Sequence, residues 1–368
     1  MKTEQYVDDA VALLKHLIAT PSVSRNEKDA ADVLQRAMQD YGYTPRREGN
    51  NLWITSGDWD DSRPTLLLNA HIDTVKPVAT WVRDPFTPVQ EGDCLYGLGS
   101  NDCGGGLVSL LQVFRILTSQ PPTLHLPPST LHLPPSTSHL PTYNLVFLAS
   151  CEEEVSGAGG IRAVLPLLPK IDVAIVGEPT GMQPAIAERG LMVIDGVARG
   201  KSGHAARNEG VNAIYEALDD LLFIRDYRFE KVSPLLGPTK MQCTVVNSGT
   251  QHNVVPDECR FIIDVRTNEH YTNEEVFAFL QSRMKSRLQA RSFHLHSSSI
   301  SLDHPLVRRC VEMGMHPFGS PTLSDQALMR FPSFKLGPGQ SSRSHSADEF
   351  ICISEIRDAI NTYIALLA

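Results

Sequence analysis

Apolar residues recur along the chain with two different periods. Val7, Val11, Leu14, Leu17 and Ile18 fall at helical spacing and Pro21 stops the run, which predicts a first helix. A second is expected after Ser24 and Glu27, whose spacing reads as a capping box; Leu34, Met38 and Tyr41 continue one face and Gly42 ends it. Short apolar runs then alternate with longer ones: LWIT, TLLLNA, the helical LVSLLQVFRIL, LVFLA, the helical IRAVLPLL, and VAIVG. Strand and helix in alternation imply an α/β domain with a mostly parallel sheet.

After Glu178 the texture changes. LMVIDGVARG reads as a strand, GVNAIYEALDDLLFI as a helix, MQCTVVNSG and CRFIIDVRT as two strands, and NEEVFAFLQSRMKSRL as a helix, the succession of a small α/β sandwich. The tail ends in the amphipathic ISEIRDAINTYIALL. The simplest layout is one domain in two parts, residues 1–181 and 296–368, interrupted by an inserted smaller α/β domain, 182–295. Between the helix ending near Leu117 and the strand beginning near Leu145, TLHLPPS repeats with a seven-residue period from Thr123 to Thr142 and carries His125, His132 and His139. Its paired prolines forbid a continuous helix, so it reads as a length-tolerant linker rather than a metal site.

Composition narrows the function classes. A chain of 368 residues, 42% apolar and 20% charged, is an ordinary globular protein long enough for two domains. A formal charge of −9 argues against nucleic acid as the main partner, since phosphate binding needs clustered Lys and Arg. No stretch is long and apolar enough for a membrane span, and the first 20 residues carry acids where a signal peptide would be apolar, so a cytoplasmic location is expected. Seven scattered cysteines without a C-x-x-C pair suggest reduced thiols.

The candidate chemistry lies where ligands gather in open parallel sheets, beyond the carboxyl ends of strands. TLLLNA runs into His71 and Asp73, LVFLA into Glu152, Glu153 and Glu154, and VAIVG into Glu178. Asp102 lies in YGLGSNDCGGG, a glycine-rich loop that opens the next helix. Imidazole with hard carboxylates suits zinc in a hydrolytic site, or a related divalent ion. In His-x-Asp the carboxylate can accept the second N–H of the histidine and fix its tautomer. A serine hydrolase is disfavoured: GKSGH has His204 where the nucleophile elbow G-x-S-x-G needs its last glycine.

These residues sit in a longer ordered series, HIDTV, GLGSNDCGGG, EEEVSGAGG, VGEPT, GKSGHAARNEGVNAI, NVVPDECRFIIDVR and SHSADEF. The series resembles the di-zinc aminoacylase and carboxypeptidase family over nearly the whole chain. The resemblance implies two zinc ions, replaceable by cobalt or manganese, one held by His71 and Glu178, the other by Glu154 and His345, with Asp102 bridging. It implies Asp73 as a support for His71, Glu153 as the general base and Glu152 as the dispensable member of the triplet; a register one residue earlier would make Glu152 the base and Glu153 the ligand. His204 is similar to the family histidine that stabilises the oxyanion from a neighbouring subunit, which implies a homodimer through the inserted domain. Arg266, Asn253 and Arg189 resemble positions that grip a substrate carboxylate or orient the acyl group. The HLPPST repeat has no family counterpart.

The activity implied is removal of an acetyl or succinyl group from an amino acid. The wording of GSPTLSDQALM and GPGQSSRSHSADEF is most similar to deacylases of arginine biosynthesis, so N-acylornithine leads, followed by N-acylcitrulline. Succinyl-diaminopimelate desuccinylase, a dipeptidase or a broad aminoacylase are the alternatives, and a peptide-binding relative without catalysis is the non-enzymatic one. Lys201, Arg207 or Arg343 would supply a second cationic contact for a longer acyl group.

Overall fold

Strands covered on both faces need no apolar–polar alternation, and two of this chain's strands are buried along their whole length. In a computed structural model, which describes residues 3–119, 142–207 and 209–367, all seven residues of Thr65–His71 and all seven of Asn144–Ser150 are buried. The chain divides into two compact units, one made of Met1–Ile186, Ile300–Phe318 and Ser324–Ala368, the other of Ala187–Ser299 and Gly319–Leu323. The HLPPST repeat with His125, His132 and His139 falls outside the described residues, apart from its last residue.

The first unit opens with helices α1 (Thr3–Ile18) and α2 (Lys28–Asp40) and strands β1 (Arg46–Glu48), β2 (Asn51–Thr55) and β3 (Thr65–His71). A small hairpin, β4 (Val89–Glu91) and β5 (Cys94–Tyr96), precedes helix α3 (Gly105–Thr118), and β6 (Asn144–Ser150) and β7 (Val173–Val176) follow. The sheet order is β1-β2-β6-β3-β7, continued by Ser333–Lys335 and Ala185–Glu188. Strands β6, β3, β7 and Ser333–Lys335 are mutually parallel, with Leu68 opposite Phe147 on one side and Ile175 on the other. Period-two alternation divides the core. Leu66, Leu68 and Ala70 pack with α1, α3 and the last helix, Ile353–Leu367, while Leu67 packs on the other face with Val146, Leu148, Ile161 and Val164. Each such fully buried side chain stabilises the fold by about 1.5–3 kcal/mol.

The second unit is an α/β sandwich. Its antiparallel sheet runs Lys240–Ser248, Glu258–Arg266, Met192–Arg199, Arg287–Ala290. Alternate residues such as Met192, Ile194, Phe261, Ile263 and Val265 meet Ala213, Ala217, Ile224, Val276 and Leu280 of helices Ala213–Asp226 and Asn273–Arg283. Among the described residues no helix is long and apolar enough to cross a membrane.

Three local expectations are overturned. Ser24 and Glu27 form no capping box, because each is taken by a distant partner: Ser24 Oγ donates to Asp73, 2.7 Å away, and Glu27 accepts the backbone N–H groups of Arg25 and Glu152. IRAVLPLL holds one α-helical turn, Ile161–Val164, since Pro166 cannot continue the hydrogen-bond ladder. The helix begun at Asn273 stops at Arg283, and Arg287–Ala290 joins the sheet.

Helix α3 approaches the end of β7 so closely that a Cβ at Gly106 would lie 1.7 Å from the Gly177 carbonyl oxygen. Alanine normally favours a helix over glycine by about 1 kcal/mol. Here the clash with fixed backbone reverses the sign: Gly106→Ala should destabilise the protein by about 2 kcal/mol or more, read as a fall of several degrees in thermal melting.

Candidate active site

Because β3, β6 and β7 are parallel and adjacent, their carboxyl ends open on one edge of the sheet. His71 is the last residue of β3, and its ring is almost wholly buried. The carbonyl of Asp73 lies 2.9 Å from Nδ1, and a carbonyl can only accept, so Nδ1 carries the proton. Nε2 of the neutral ring therefore presents a lone pair, yet it faces Asp102 Oδ1 at 3.1 Å, Glu178 Oε1 at 3.6 Å and Glu153 Oε2 at 4.0 Å. A lone pair facing anionic oxygens is satisfied by a second proton or by a cation.

The second histidine repeats the arrangement. His345 Nε2 lies 3.0 Å from Glu154 and 3.7 Å from Asp102 Oδ2. Asp102 therefore turns one oxygen toward each imidazole. His71, Asp102 and Glu154 each offer a ligand atom, and these lie within 4.8 Å of one another. Glu178 Oε1 is buried and accepts no hydrogen bond, an orphan of the kind a bound cation would satisfy. Cys103 also falls near His71 and Glu178, but its thiol donates to the Gly177 carbonyl at 3.1 Å, and burial pushes its pKa well up, so it fits a spacer better than a thiolate ligand.

The electrostatics express the same crowding. Burial and the neighbouring Glu178 hold Glu153 well above the usual carboxylate range. Burial, with Asp102 next in weight, pushes Glu178 up to about 8. Burial opposes charge on His71, but Cys103, Asp102, Glu153 and Glu178 together carry its pKa well above normal. Burial likewise opposes the Asp102 carboxylate, and its bond with His71 nevertheless keeps it low. The Glu154 hydrogen bond raises His345 to about 9. Acids driven toward protonation and imidazoles driven toward charge are what a pocket short of positive charge looks like, and a divalent cation inverts that logic.

Backbone geometry divides the acid triplet. Glu152 adopts a left-handed conformation, φ +53°, that turns the chain at the end of β6. Its own carboxylate accepts the Gly159 N–H at 3.2 Å and fills space that a Cβ at Gly157 would occupy, so Glu152 packs on the glycine turn. Glu153 and Glu154 point back toward His71 and His345. Asp73 departs from expectation too. Its carboxylate stands 3.7 Å from the histidine ring, and the tautomer is fixed by its carbonyl. The carboxylate accepts the N–H groups of Glu153 and Glu154, at 3.0 and 3.2 Å, and the Ser24 hydroxyl.

Of the remaining expected residues, His204, Asn253, Arg266 and Arg189 belong to the second unit and Arg343 to the first. His204 is exposed and pairs with Val254 across a short bridge, and the next N–H, of Ala205, donates to the Asn253 carbonyl. The Ala206 N–H donates to His204 Nδ1, which leaves Nε2 as the protonated nitrogen. Asn253 is exposed, and Arg266 forms a bidentate pair with Asp264 at 2.8 and 3.0 Å. Arg189 contradicts its expected role: it is 8% exposed and its guanidinium donates to the carbonyls of Leu236 and Pro238. Arg343 is held by Glu355 and stacks on Phe350.

With this geometry in view, comparison with known proteins is decisive for the family. Residues 67–368 match the model of peptidase family M20/M25/M40. The chain belongs to that family. It is an amide-bond hydrolase, and it is 28% identical to the acetylornithine deacetylase of Proteus mirabilis, over 93% of this chain and 91% of that one. It is also 28% identical to the succinyl-diaminopimelate desuccinylase of a Caulobacter species, over 98% and 95%. A dinuclear-metal-binding M20 peptidase from Bacillus subtilis shares the fold, with a TM-score of 0.69 at 16% identity, covering 99% of this chain and 98% of that one.

Sequence reasoning passed over several M20 residues that shape the site. Asp325, buried and pushed up to about 6 by that burial, accepts the Ser150 hydroxyl at 2.5 Å. Glu27 and Glu349 bond backbone N–H groups of the acid-bearing loops. Asp325 and Glu349 both fall inside quoted motifs, SDQALM and SADEF, which was the available signal. Replacing Asp73 with Asn keeps its size but turns N–H toward N–H. We expect Asp73→Asn to lower kcat about 10–100-fold and to lower thermal melting by a few degrees.

Proposed function

We propose that this M20 hydrolase removes an acetyl or succinyl group from an amino acid, with N-acylornithine the leading substrate and N-acylcitrulline next. The carrying observation is Asp102, whose two carboxylate oxygens lie 3.1 and 3.7 Å from the two imidazoles. The names of the relatives and the motif wording support the deacylase reading over a dipeptidase. Imidazole with carboxylate oxygen favours zinc, with cobalt or manganese as substitutes. His71 and Glu178 would hold one ion, His345 and Glu154 the other, and Asp102 both. Such ions supply Lewis-acid polarisation of the scissile carbonyl and a lowered pKa for attacking water.

The chain's own groups do the rest. Glu153, beside this ligand set without belonging to it, takes a proton from water and delivers it to the leaving amine nitrogen. Its protonation is eased by the burial and the Glu178 charge that already lift its pKa. Asp73 holds the peptides of Glu153 and Glu154, so base and ligand keep a fixed separation. His204, whose Nε2 is free to donate, is assigned to the oxyanion. Arg266 and Asn253 are assigned to the substrate carboxylate, with Asp264 presetting the guanidinium fork.

A homodimer through the second unit is supported by its surface. Ile214, Leu218 and Leu222, four residues apart on one helix, are 39–48% exposed, and Tyr215 beside them is 72% exposed. The adjacent strand Lys240–Ser248 is the sheet's edge. Seven free thiols support a reducing, cytoplasmic setting.

Zinc-loaded protein should hydrolyse N-acetyl- or N-succinylornithine in a matched panel, and chelation should abolish the activity. Glu153→Ala should lower kcat by about 10²–10⁴ while leaving metal content intact. Full activity in that variant would remove the base assignment. Leu218→Arg should shift sedimentation from dimer to monomer; an unchanged dimer would put the interface elsewhere.

A further inference from the structure

Two of the three loops that bring acids to the site are each suspended by backbone N–H groups from a buried acid on a distant part of the chain. For Glu153 and Glu154 that acid is Asp73. For Asp102 it is Glu349, 2% exposed, whose Oε1 accepts the N–H of Asn101 at 2.8 Å and of Asp102 at 2.9 Å. Two successive N–H groups on one oxygen fix two peptide planes, and these planes set the direction of the Asp102 side chain. The loop needs such support, because Asp102 and Cys103 have non-helical backbone angles just before α3 begins.

The same contact bears on His345. The Asn101 side chain donates to the Gln340 carbonyl at 3.0 Å and to Ser344 Oγ at 3.2 Å, and accepts the Gln340 N–H at 3.0 Å. His345 therefore lies between two attachments to the Asp102 loop, Gln340 and Ser344 before it and Glu349 after it. Its own left-handed backbone, φ +58°, is held from both sides. Between these attachments His345 Nε2 stands 3.7 Å from Asp102 Oδ2.

We propose that Glu349 is a positioning residue that sets the bridging carboxylate of Asp102 against His345 through the backbone, without touching metal or substrate. The proposal rests on the reading of Asp102 and His345 as ligands. Both N–H groups go to a single oxygen, so an amide oxygen at the same reach can replace the carboxylate, whereas a shorter acid cannot.

The experiment titrates the metal-stripped full-length protein with Co²⁺, followed by visible absorption and calorimetry, and measures kcat and KM on N-acetylornithine. Glu349→Gln should stay within about threefold of the wild type. Glu349→Ala should lose about 10–100-fold in Co²⁺ affinity and in kcat with KM little changed. Glu349→Asp, which keeps the charge and withdraws the oxygen, should behave like the alanine variant, and it serves as the comparison should the alanine variant fail to fold. Wild-type Co²⁺ binding by Glu349→Ala, or a Gln variant as impaired as the Asp variant, overturns the proposal. A wild-type protein that binds no Co²⁺ overturns the two-metal reading instead.

Discussion

Four carboxylates, Asp102, Glu153, Glu154 and Glu178, are drawn to one end of a parallel sheet around two imidazoles. Two like charges 4–5 Å apart repel by about 3–4 kcal/mol at an effective dielectric of about 20. Nothing in a stable fold gathers acids this closely without a cation or a proton to share. The lone pair of His71 is the sharpest form of the constraint. Its Nδ1 proton is committed to the Asp73 carbonyl, and its other nitrogen faces, nearest of all, the Asp102 carboxylate, which is held in its charged form and cannot donate. Metal binding and proton transfer both follow from how that deficit of positive charge is met.

The fold's contribution is to make the crowding rigid. Fully buried parallel strands deliver His71, the acid triplet and Glu178 to one edge, and the contact of Gly106 with Gly177 locks α3 beside them. Turns in strained backbone, at Glu152 and His345, aim the side chains. Asp73 accepts the N–H groups of Glu153 and Glu154, and Glu349 those of Asn101 and Asp102. The functional acids are therefore displaced little by their mutual repulsion, since moving one would break several charge-assisted hydrogen bonds.

Much of this was legible in the sequence, and the boundary has a physical explanation. Parallel-strand character showed in TLLLNA and LVFLA because strands covered on both faces need no polar positions. His71, the acid triplet, Glu178 and Asp102 stood out because strand ends and a glycine-rich loop are where a sheet presents ligands, whereas His345 and the choice of Glu154 within the triplet came only from the family resemblance. What stayed hidden depends on partners far away in the chain. Ser24 is bound by Asp73, 49 residues on, and Glu349 reaches Asn101 across 248 residues. Arg189 looked like a carboxylate receptor, but its planar fork suits two backbone carbonyls as well, and no local pattern separates the two. In the SGAGG tail of the acid triplet, Gly157 and Gly159 leave room for the Glu152 side chain and Gly160 for the Cys151 carbonyl.

The central claim, that the clustered acids exist to bind two bridged ions, is tested most directly by anomalous X-ray diffraction from crystals of the zinc-loaded protein. The account predicts two zinc peaks per chain, one against His71 and Glu178, the other against His345 and Glu154, with Asp102 touching both. A single peak away from Asp102, or none in protein that is active, would contradict it.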